Sequence, residues 1–324
     1  MTARHPTVAM AKNTSASALP EPGRKPTIAL ALGAGGAKGL AHIGVIEELE
    51  EQGFEIVAIS GSSMGALVGG IHAMGKLPVY RDWVSKLARL DVLRLVDWTF
   101  SGGGFIKGER IMETLLHLTG DVQIEDLPIA YTAVATDLDR GREVWLTGGS
   151  LFDAIRASTA LPTVFRPYVL HGRLLVDGAL LNPVPVTPLI RSRADYLVAV
   201  SLHGVATPAA QPTAAKAEAE AGAPSYRRRV ADFVGRLVPH GARHGQAQGT
   251  FELLNQSIDL MQSHLSRLRL AVYEPDLLIE LPRDIASVYE FYRARELIER
   301  GREAARVALS RWSASPLRPR DVSS

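Results

Sequence analysis

Two short apolar runs near the start of the chain each end in a glycine-rich turn, and each turn leads into a segment with apolar residues at helical spacing. The first run, Thr27–Leu32, precedes the helical pattern of residues 38–53. The second run, residues 54–59, precedes the pattern of residues 63–75. A strand–helix–strand–helix order is typical of a parallel sheet with right-handed crossovers. The chain is therefore predicted to have an α/β fold.

The later part of the chain continues this alternation. Strands are predicted at residues 129–136, 143–146, 194–202 and 276–281, and helices at residues 150–158, 251–270 and 289–309. We expect a three-layer α/β/α sandwich around a central, mostly parallel sheet.

The predicted domain boundaries follow shifts in composition. Residues 1–25 are rich in Ala, Ser, Thr and Pro, and we expect a disordered tail there. Residues 26–312 are predicted to form one domain, and residues 313–324 a C-terminal tail. Residues 204–249 contain an Ala/Pro-rich run followed by several arginines, which indicates a surface insertion within the domain.

Composition narrows the chemistry. The chain has no cysteine, which excludes disulfides, thiolate metal sites and a cysteine nucleophile. The 36 basic residues nearly balance the 34 acidic ones, so we expect no nucleic-acid partner. We also expect no metal and no cofactor. No apolar run is long enough to span a bilayer and no signal peptide is evident, so we expect a cytoplasmic protein, with peripheral membrane contact left open.

The pentapeptide Gly61-Ser62-Ser63-Met64-Gly65 has the pattern G-x-S-x-G between a predicted strand and a predicted helix. In that setting a serine occupies a tight turn with its hydroxyl exposed, next to the positive end of the helix dipole. Flanking glycines remove Cβ atoms that would collide in such a turn. Ser63 is therefore a candidate nucleophile. The alternative is a glycine-rich turn in which a serine caps the helix.

The loop Gly33-Ala34-Gly35-Gly36-Ala37-Lys38-Gly39 can direct backbone amides towards an anion. Two nucleotide-binding interpretations are disfavoured. A dinucleotide fingerprint requires glycine where Lys38 stands, and a phosphate P-loop requires Ser or Thr where Leu77 follows residues 70–76. Because the carboxyl ends of parallel strands meet in one crevice, we expect Gly35 and Gly36 to lie beside Ser63.

A general base for Ser63 is harder to identify. His42 and His72 fall on predicted helices, where packing or surface roles are expected. His171 lies in a predicted turn and is a weak triad candidate. Asp177 follows a short apolar run and precedes Gly178, and it is the stronger candidate, although an Asp-Gly pair also forms simple turns.

Taken together, four motifs in this order resemble the patatin-like phospholipase family, most closely its bacterial members related to neuropathy target esterase. They are the glycine loop 33–39, the pentapeptide 61–65, the block Ala-Ser-Thr-Ala-Leu-Pro at 157–162, and Asp-Gly-Ala at 177–179. The resemblance extends from about residue 28 to about residue 305.

The resemblance implies a Ser–Asp dyad without histidine, with Ser63 as nucleophile and Asp177 as base. It assigns the oxyanion amides to Gly35, Gly36 and Ala37, and places Lys38 in the family's basic position. The glycines that support these motifs are Gly33, Gly39, Gly61, Gly65 and Gly178. Ala34 and Ala179 stand where many members have glycine, and neither change removes a catalytic atom.

The implied activity is that of a serine lipid acyl hydrolase, of phospholipase A or lysophospholipase type, which cleaves fatty-acyl esters through an acyl-enzyme. Its partner is a phospholipid or another acyl ester. Residues 227–243 carry apolar side chains between arginines, which indicates either an interfacial amphipathic helix or a solvated surface helix. Two other functions stay open: a non-lipid carboxylesterase or thioesterase, and a catalytically silent regulatory protein on the same fold.

Overall fold

The computed structural model describes residues 24–95, 109–162, 164–206 and 250–313. Within these residues lie eight strands: β1 Thr27–Leu32, β2 Glu55–Ser62, β3 Ala130–Asp137, β4 Arg142–Leu146, β5 Tyr168–Leu170, β6 Arg173–Asp177, β7 Tyr196–Gly204 and β8 Leu277–Pro282. The α-helices of the same part of the chain are α1 Ala41–Glu51, α2 Met64–Ala73, α3 Leu77–Val84, α4 Arg89–Leu95, α5 Glu109–Thr119, α6 Leu151–Ser158, α7 Thr250–Val272 and α8 Ala294–Ser313.

All eight strands form one sheet in the order β5-β6-β3-β2-β1-β7-β8, with β4 paired to β3 outside this path. Strands β3, β2, β1, β7 and β8 pair in parallel, which confirms the predicted mostly parallel sheet. Strands β4, β5 and β6 add an antiparallel arm around β3. The sequence indicated strands in this arm but not their direction.

The two faces of the sheet are packed differently. In β1 the large side chains of Ile28, Leu30 and Leu32 point to one face, into a core that also contains apolar residues of α1, α2 and α8. The alternate positions Ala29 and Ala31 point to the other face, where Leu270 of α7 joins a smaller, alanine-rich cluster. Helices thus cover both faces, which confirms the predicted three-layer architecture.

Helices α1 and α8 pack closely because two glycines lie at their crossing. A Cβ on Gly44 would overlap the carbonyl of Ile298, and a Cβ on Gly301 would overlap the carbonyl of Ala41. Arg302 then reaches from α8 to carboxylates of α1, with 2.7 Å to Glu47. The absence of two side chains therefore fixes the distance between the helices.

Strand β3 holds two other strands end to end along one of its edges. Val134 pairs with Ser62 of β2, and the next residue, Ala135, pairs with Asp177 of β6. β4 occupies the opposite edge, since Ala133 and Ala135 each pair with β4 as well. Because β2 is parallel to β3 and β6 is antiparallel, their carboxyl ends meet at this point. The last residue of β6 and the residue that follows β2 are thereby brought together.

Several predictions fall outside the described residues. They concern residues 1–23 of the expected disordered tail, residues 207–249 of the expected insertion with its arginine-rich segment 227–243, and residues 314–324 of the expected C-terminal tail. Among the residues that are described, no helix is both long enough and apolar enough to cross a membrane.

The α1–α8 crossing yields a first prediction. In an ordinary helix Gly→Ala stabilises by up to about 1 kcal/mol. Gly301→Ala is expected to destabilise instead, by roughly 1–3 kcal/mol, because its Cβ overlaps the Ala41 carbonyl. Thermal unfolding should show a melting temperature lower by roughly 2–5 °C. Glu299→Ala, at an exposed position of the same helix, is the control and should melt as the wild type does. A Gly301→Ala protein that melts at or above the wild-type temperature would contradict the close packing of α1 against α8.

Candidate active site

Ser63 occupies a strained turn between β2 and α2. Its φ of 56° and ψ of −124° lie in a region that residues with a side chain rarely adopt, at a cost of order 1–3 kcal/mol. The flanking glycines allow the turn to close. A Cβ on Gly61 would overlap the backbone of Ala66, and a Cβ on Gly65 would overlap the carbonyl of Leu32. The geometry is that of a nucleophile elbow, with the serine at the N-terminus of a helix.

A second serine holds this turn in place. The Ser63 N–H donates to Ser158 Oγ at 3.0 Å, and Ser158 Oγ donates to the Val134 carbonyl at 2.6 Å. Ser158 is fully buried at the end of α6, so both bonds are shielded from water. In the sequence, Ser158 stands out only as part of the block 157–162. The link from α6 through Ser158 to both β3 and the elbow is visible only in three dimensions.

Asp177 ends β6 and is almost fully buried. Its main-chain N–H donates to the Ala160 carbonyl at 3.0 Å, and its main-chain carbonyl accepts from Thr136 Oγ1 at 3.0 Å. Its side-chain Oδ1 accepts from the Ala179 N–H at 2.8 Å. The other oxygen, Oδ2, has no hydrogen bond of ordinary geometry from the described residues. One carboxylate oxygen is thus fixed, and the other is left for a proton.

Burial raises the pKa of Asp177 to about 6, against the opposing effects of the Ser63 side chain and the Ala179 N–H. The Ser63 hydroxyl therefore lies close enough to influence the carboxylate. A carboxylate with a pKa near 6 is a better base at neutral pH than an exposed aspartate, as expected from burial.

The residue after Asp177 must be glycine. A Cβ on Gly178 would overlap the carbonyl of Val134 and would lie 3.1 Å from Ser62 Oγ. Ser62 Oγ itself donates to the Asn182 carbonyl at 2.7 Å. The turn that follows Asp177 is therefore packed against the end of β2, which keeps Asp177 next to Ser63.

The glycine loop is anchored at both ends. The N–H groups of Gly33 and Ala34 donate to the carbonyls of Val200 and Pro183 at 3.0 and 2.8 Å. The Ala37 N–H donates to the Val288 carbonyl at 2.9 Å, so this amide is engaged in the present conformation.

Between these anchors, the N–H groups of Gly35 and Gly36 donate no backbone hydrogen bond within the described residues. Gly36 has a φ of 55°, and a Cβ there would lie 2.5 Å from a Val288 methyl group. Glycine at this position therefore leaves space, and two amides remain available.

His42 takes part in anchoring this loop, which was not predicted. Its Nε2 lies 2.7 Å from the Gly33 carbonyl and the ring is fully buried. Burial lowers its pKa to about 4. The ring is therefore neutral at pH 7, and Nε2–H donates to the carbonyl. The helical spacing that suggested a packing role could not show which carbonyl the ring would reach.

Lys38 does not point freely into solvent. Its ammonium donates to the Arg283 carbonyl at 3.2 Å and pairs with Asp259 of α7 at 3.4 Å, and its side chain is almost completely buried. The expected basic position thus connects the glycine loop to α7.

The weak triad candidate lies elsewhere. His171 forms the turn between β5 and β6, at the opposite end of β6 from Asp177 and roughly 20 Å along the strand. In the part of the chain that is described, no histidine is hydrogen-bonded to Ser63 or Asp177. The same residues contain no group of three His, Asp or Glu side chains that could hold a metal ion.

The Asp177 environment predicts a pH-dependent stability. A raised pKa means that the folded state binds this proton more tightly than the unfolded state, so the ionised carboxylate destabilises the fold at high pH. The shift from 3.8 to about 6 corresponds to about 3 kcal/mol at pH 8, and this cost disappears as the pH falls through 6 towards 4. Asp177→Asn is therefore expected to be more stable than wild type at pH 8 and similar at pH 4, measured by urea unfolding. An equal difference at both pH values would contradict a buried, ionised Asp177.

Comparison with known proteins places this geometry in a family. A patatin-like phospholipase family model matches residues 30–190, which include the glycine loop, the elbow and Asp177. A protein of Mycobacterium tuberculosis described as an uncharacterized NTE family protein is 41% identical over 88% of this chain and 91% of its own length. In the solved structures, VipD from Legionella pneumophila has a TM-score of 0.50 at 17% identity, over 89% of this chain and 67% of that one. That likeness shows the α/β fold alone.

Other relatives are similar over only about half of this chain and a small part of their own length. Lysophospholipase NTE1 of Kluyveromyces lactis is 32% identical over 55% of this chain and 13% of its own length. Neuropathy target esterase sws of Drosophila melanogaster is 31% identical over 54% of this chain and 13% of its own length. The mycobacterial protein, by contrast, is similar over nearly its whole length. This similarity and the matching family model show that the chain belongs to the NTE family of patatin-like phospholipases, a family of lipid hydrolases.

Proposed function

We propose that this protein is a serine lipid acyl hydrolase of phospholipase A or lysophospholipase type, with Ser63 and Asp177 as its catalytic dyad. The observation that carries the proposal is the meeting of two strand ends on β3. It brings the strained Ser63 next to a buried carboxylate whose Oδ2 is unpaired. A serine and a base in this relation are the requirements for acyl transfer.

In the first half of the reaction, Asp177 Oδ2 accepts the proton of the Ser63 hydroxyl while Ser63 Oγ attacks the ester carbonyl carbon. The carbonyl π bond opens and its oxygen takes the negative charge. When the carbonyl re-forms, the bond to the alkoxy group breaks, and the leaving alcohol takes the proton from Asp177. The products are a free alcohol and an acyl-enzyme on Ser63.

In the second half, a water molecule gives its proton to Asp177 and attacks the acyl carbonyl. Collapse of this intermediate breaks the bond to Ser63 Oγ, which recovers its proton from Asp177. The fatty acid leaves and the enzyme returns to its starting state. One carboxylate thus acts as base and acid twice, which suits a pKa near neutrality.

The negative oxygen in both halves is proposed to bind the amides of Gly35 and Gly36. Both N–H groups lack a backbone partner in the described residues, whereas the Ala37 amide is engaged with Val288. The proposed oxyanion hole therefore narrows from three donors to two, with Ala37 positioning the loop. Each such donor contributes a factor on the order of 10²–10³ to turnover.

The choice of a lipid ester as substrate rests on the family and on its members named as lysophospholipases. Mass spectrometry of the products from phosphatidylcholine and lysophosphatidylcholine tests it. Release of fatty acid by wild type but not by Ser63→Ala supports the proposal. Turnover of short soluble esters or thioesters with no lipid product would favour a non-lipid esterase instead.

Ser63→Ala removes the attacking oxygen. Hydrolysis of p-nitrophenyl butyrate is expected to fall by a factor on the order of 10³ or more, and labelling by a fluorophosphonate probe should be lost. Ser257→Ala, an exposed serine on α7, is the matched control and should keep both signals. A Ser63→Ala protein with full activity and labelling would refute the assignment.

The pH profile tests the base. Since Asp177 must be ionised to accept the proton, kcat/KM is expected to rise with pH and to level off above about 6. Asp177→Asn should reduce kcat by a factor on the order of 10³ and should abolish this titration. If the same midpoint persisted in the residual activity of Asp177→Asn, another group would be the base.

A further inference from the structure

Helix α7 exposes several large apolar side chains to solvent. One face of this 23-residue helix carries a row of large apolar residues that are exposed to solvent, from Leu253 at 55% to Val272 at 72%. We call this row the α7 outer face; it consists of Leu253, Leu254, Leu260, Met261, Leu268 and Val272. It extends from Leu253 to Val272, or roughly 28 Å. Such a stripe normally faces the core of a protein.

The inner side of α7 is made of small and polar residues. Ser263 and Ser266 are almost fully buried against the domain, with only Leu270 joining the alanine-rich cluster below the sheet. Asp259, the one carboxylate among the described side chains of α7, faces Lys38 and lies 3.9 Å from His203. The helix is therefore attached through its polar side, and its apolar side has no partner in the described structure.

Helix α7 lies beside the candidate active site. Lys38, which Asp259 contacts, belongs to the loop that carries the Gly35 and Gly36 amides. The helix also contacts the turn 178–180, directly after Asp177. A surface that holds α7 against a bilayer therefore also holds these residues near it.

A groove of about 1050 Å³ continues this surface at the C-terminal end of α7. Trp145 and Tyr273 line it, together with Arg142, Arg191 and Arg269. Its acidic lining residue, Glu143, is paired with Arg269. The groove thus combines aromatic side chains with net positive charge, the combination found where proteins meet lipid headgroups.

We propose that the α7 outer face and this groove form a docking surface for a bilayer of anionic phospholipid. The apolar row enters the acyl boundary while Arg142 and Arg191 contact headgroup phosphates, which holds the active site at the lipid surface. This inference deepens the proposed function and rests on it for its biological purpose. It names a described element, distinct from the arginine-rich segment 227–243 considered from the sequence.

Charge favours a lipid over a second copy of this chain as the occupant. In a twofold dimer the same patch faces itself, so both copies would bring the net positive charge of Arg142 and Arg191 to one interface. An anionic headgroup layer instead neutralises them, at about 1 kcal/mol per basic residue, which equals a factor of about five in affinity.

The experiment uses the full chain with Ser63→Ala, so that vesicles stay intact and no turnover is needed. Cosedimentation with phosphatidylglycerol/phosphatidylcholine vesicles is compared for this protein and for the triple variant Leu260→Gln, Met261→Gln, Leu268→Gln. We expect the triple variant to bind at least about tenfold more weakly. Arg142→Gln with Arg191→Gln should weaken binding to the anionic vesicles by a factor on the order of ten or more and leave binding to pure phosphatidylcholine unchanged.

The matched control is Leu138→Gln with Val169→Gln, two equally exposed apolar residues on the antiparallel arm of the sheet, which should bind as the parent does. With Ser63 restored, the α7 triple variant should hydrolyse p-nitrophenyl butyrate at the wild-type rate, which shows that the fold is intact. Vesicle binding that survives the triple variant overturns the proposal, as does a dimer that the triple variant dissociates without loss of vesicle binding. Vesicle binding is measured on the Ser63→Ala protein and needs no catalysis. The binding result can therefore be interpreted even if the proposed function is wrong.

Discussion

The site depends on the register of β3. Two strands of opposite direction, β2 and β6, end at adjacent residues of its edge, Val134 and Ala135. A shift of β6 by one residue would turn Asp177 to the other face of the sheet, because side chains alternate along a strand. Gly178, which fits under the Val134 carbonyl only without a Cβ, and the Asp177 N–H bond to Ala160 both resist such a shift. Backbone pairing therefore fixes the distance between Ser63 and Asp177.

Several buried polar groups around this point have hydrogen-bond partners in neighbouring elements. Ser158 joins the Ser63 amide to Val134, Ser62 binds the Asn182 carbonyl, and Thr136 binds the Asp177 carbonyl. Three side-chain atoms of this region are buried without a partner, namely Asp177 Oδ2, Asn182 Oδ1 and His42 Nδ1. The half-buried amides of Gly35 and Gly36 also donate no backbone hydrogen bond within the described residues. The proposed mechanism uses Asp177 Oδ2 for the proton and the two amides for the substrate oxygen, so it depends on groups that folding leaves unpaired.

The sequence predicted the central parallel sheet well, and it indicated the candidate catalytic motifs, because both depend on local signals. Apolar runs followed by glycine-rich turns gave β1, β2 and the helices after them to within a few residues, and β3, β7 and β8 likewise. The prediction that Ala37 serves as an oxyanion donor could not include Val288, which is distant in sequence and occupies its amide. The roles of Ser158 and His42 were missed for the same reason, since each depends on a partner in another element.

The sequence by itself determined the α/β class, the succession of the main strands along the chain, and the choice of Ser63 and Asp177 as candidate site residues. It could do so because periodicity, turn chemistry and motif order are properties of neighbouring residues. Only the tertiary structure decided that β6 runs antiparallel to β3, that Asp177 is buried with one oxygen free, and that α7 turns its apolar side outwards. Strand direction, desolvation and exposure depend on packing between segments that are distant in the sequence, and no local pattern encodes them.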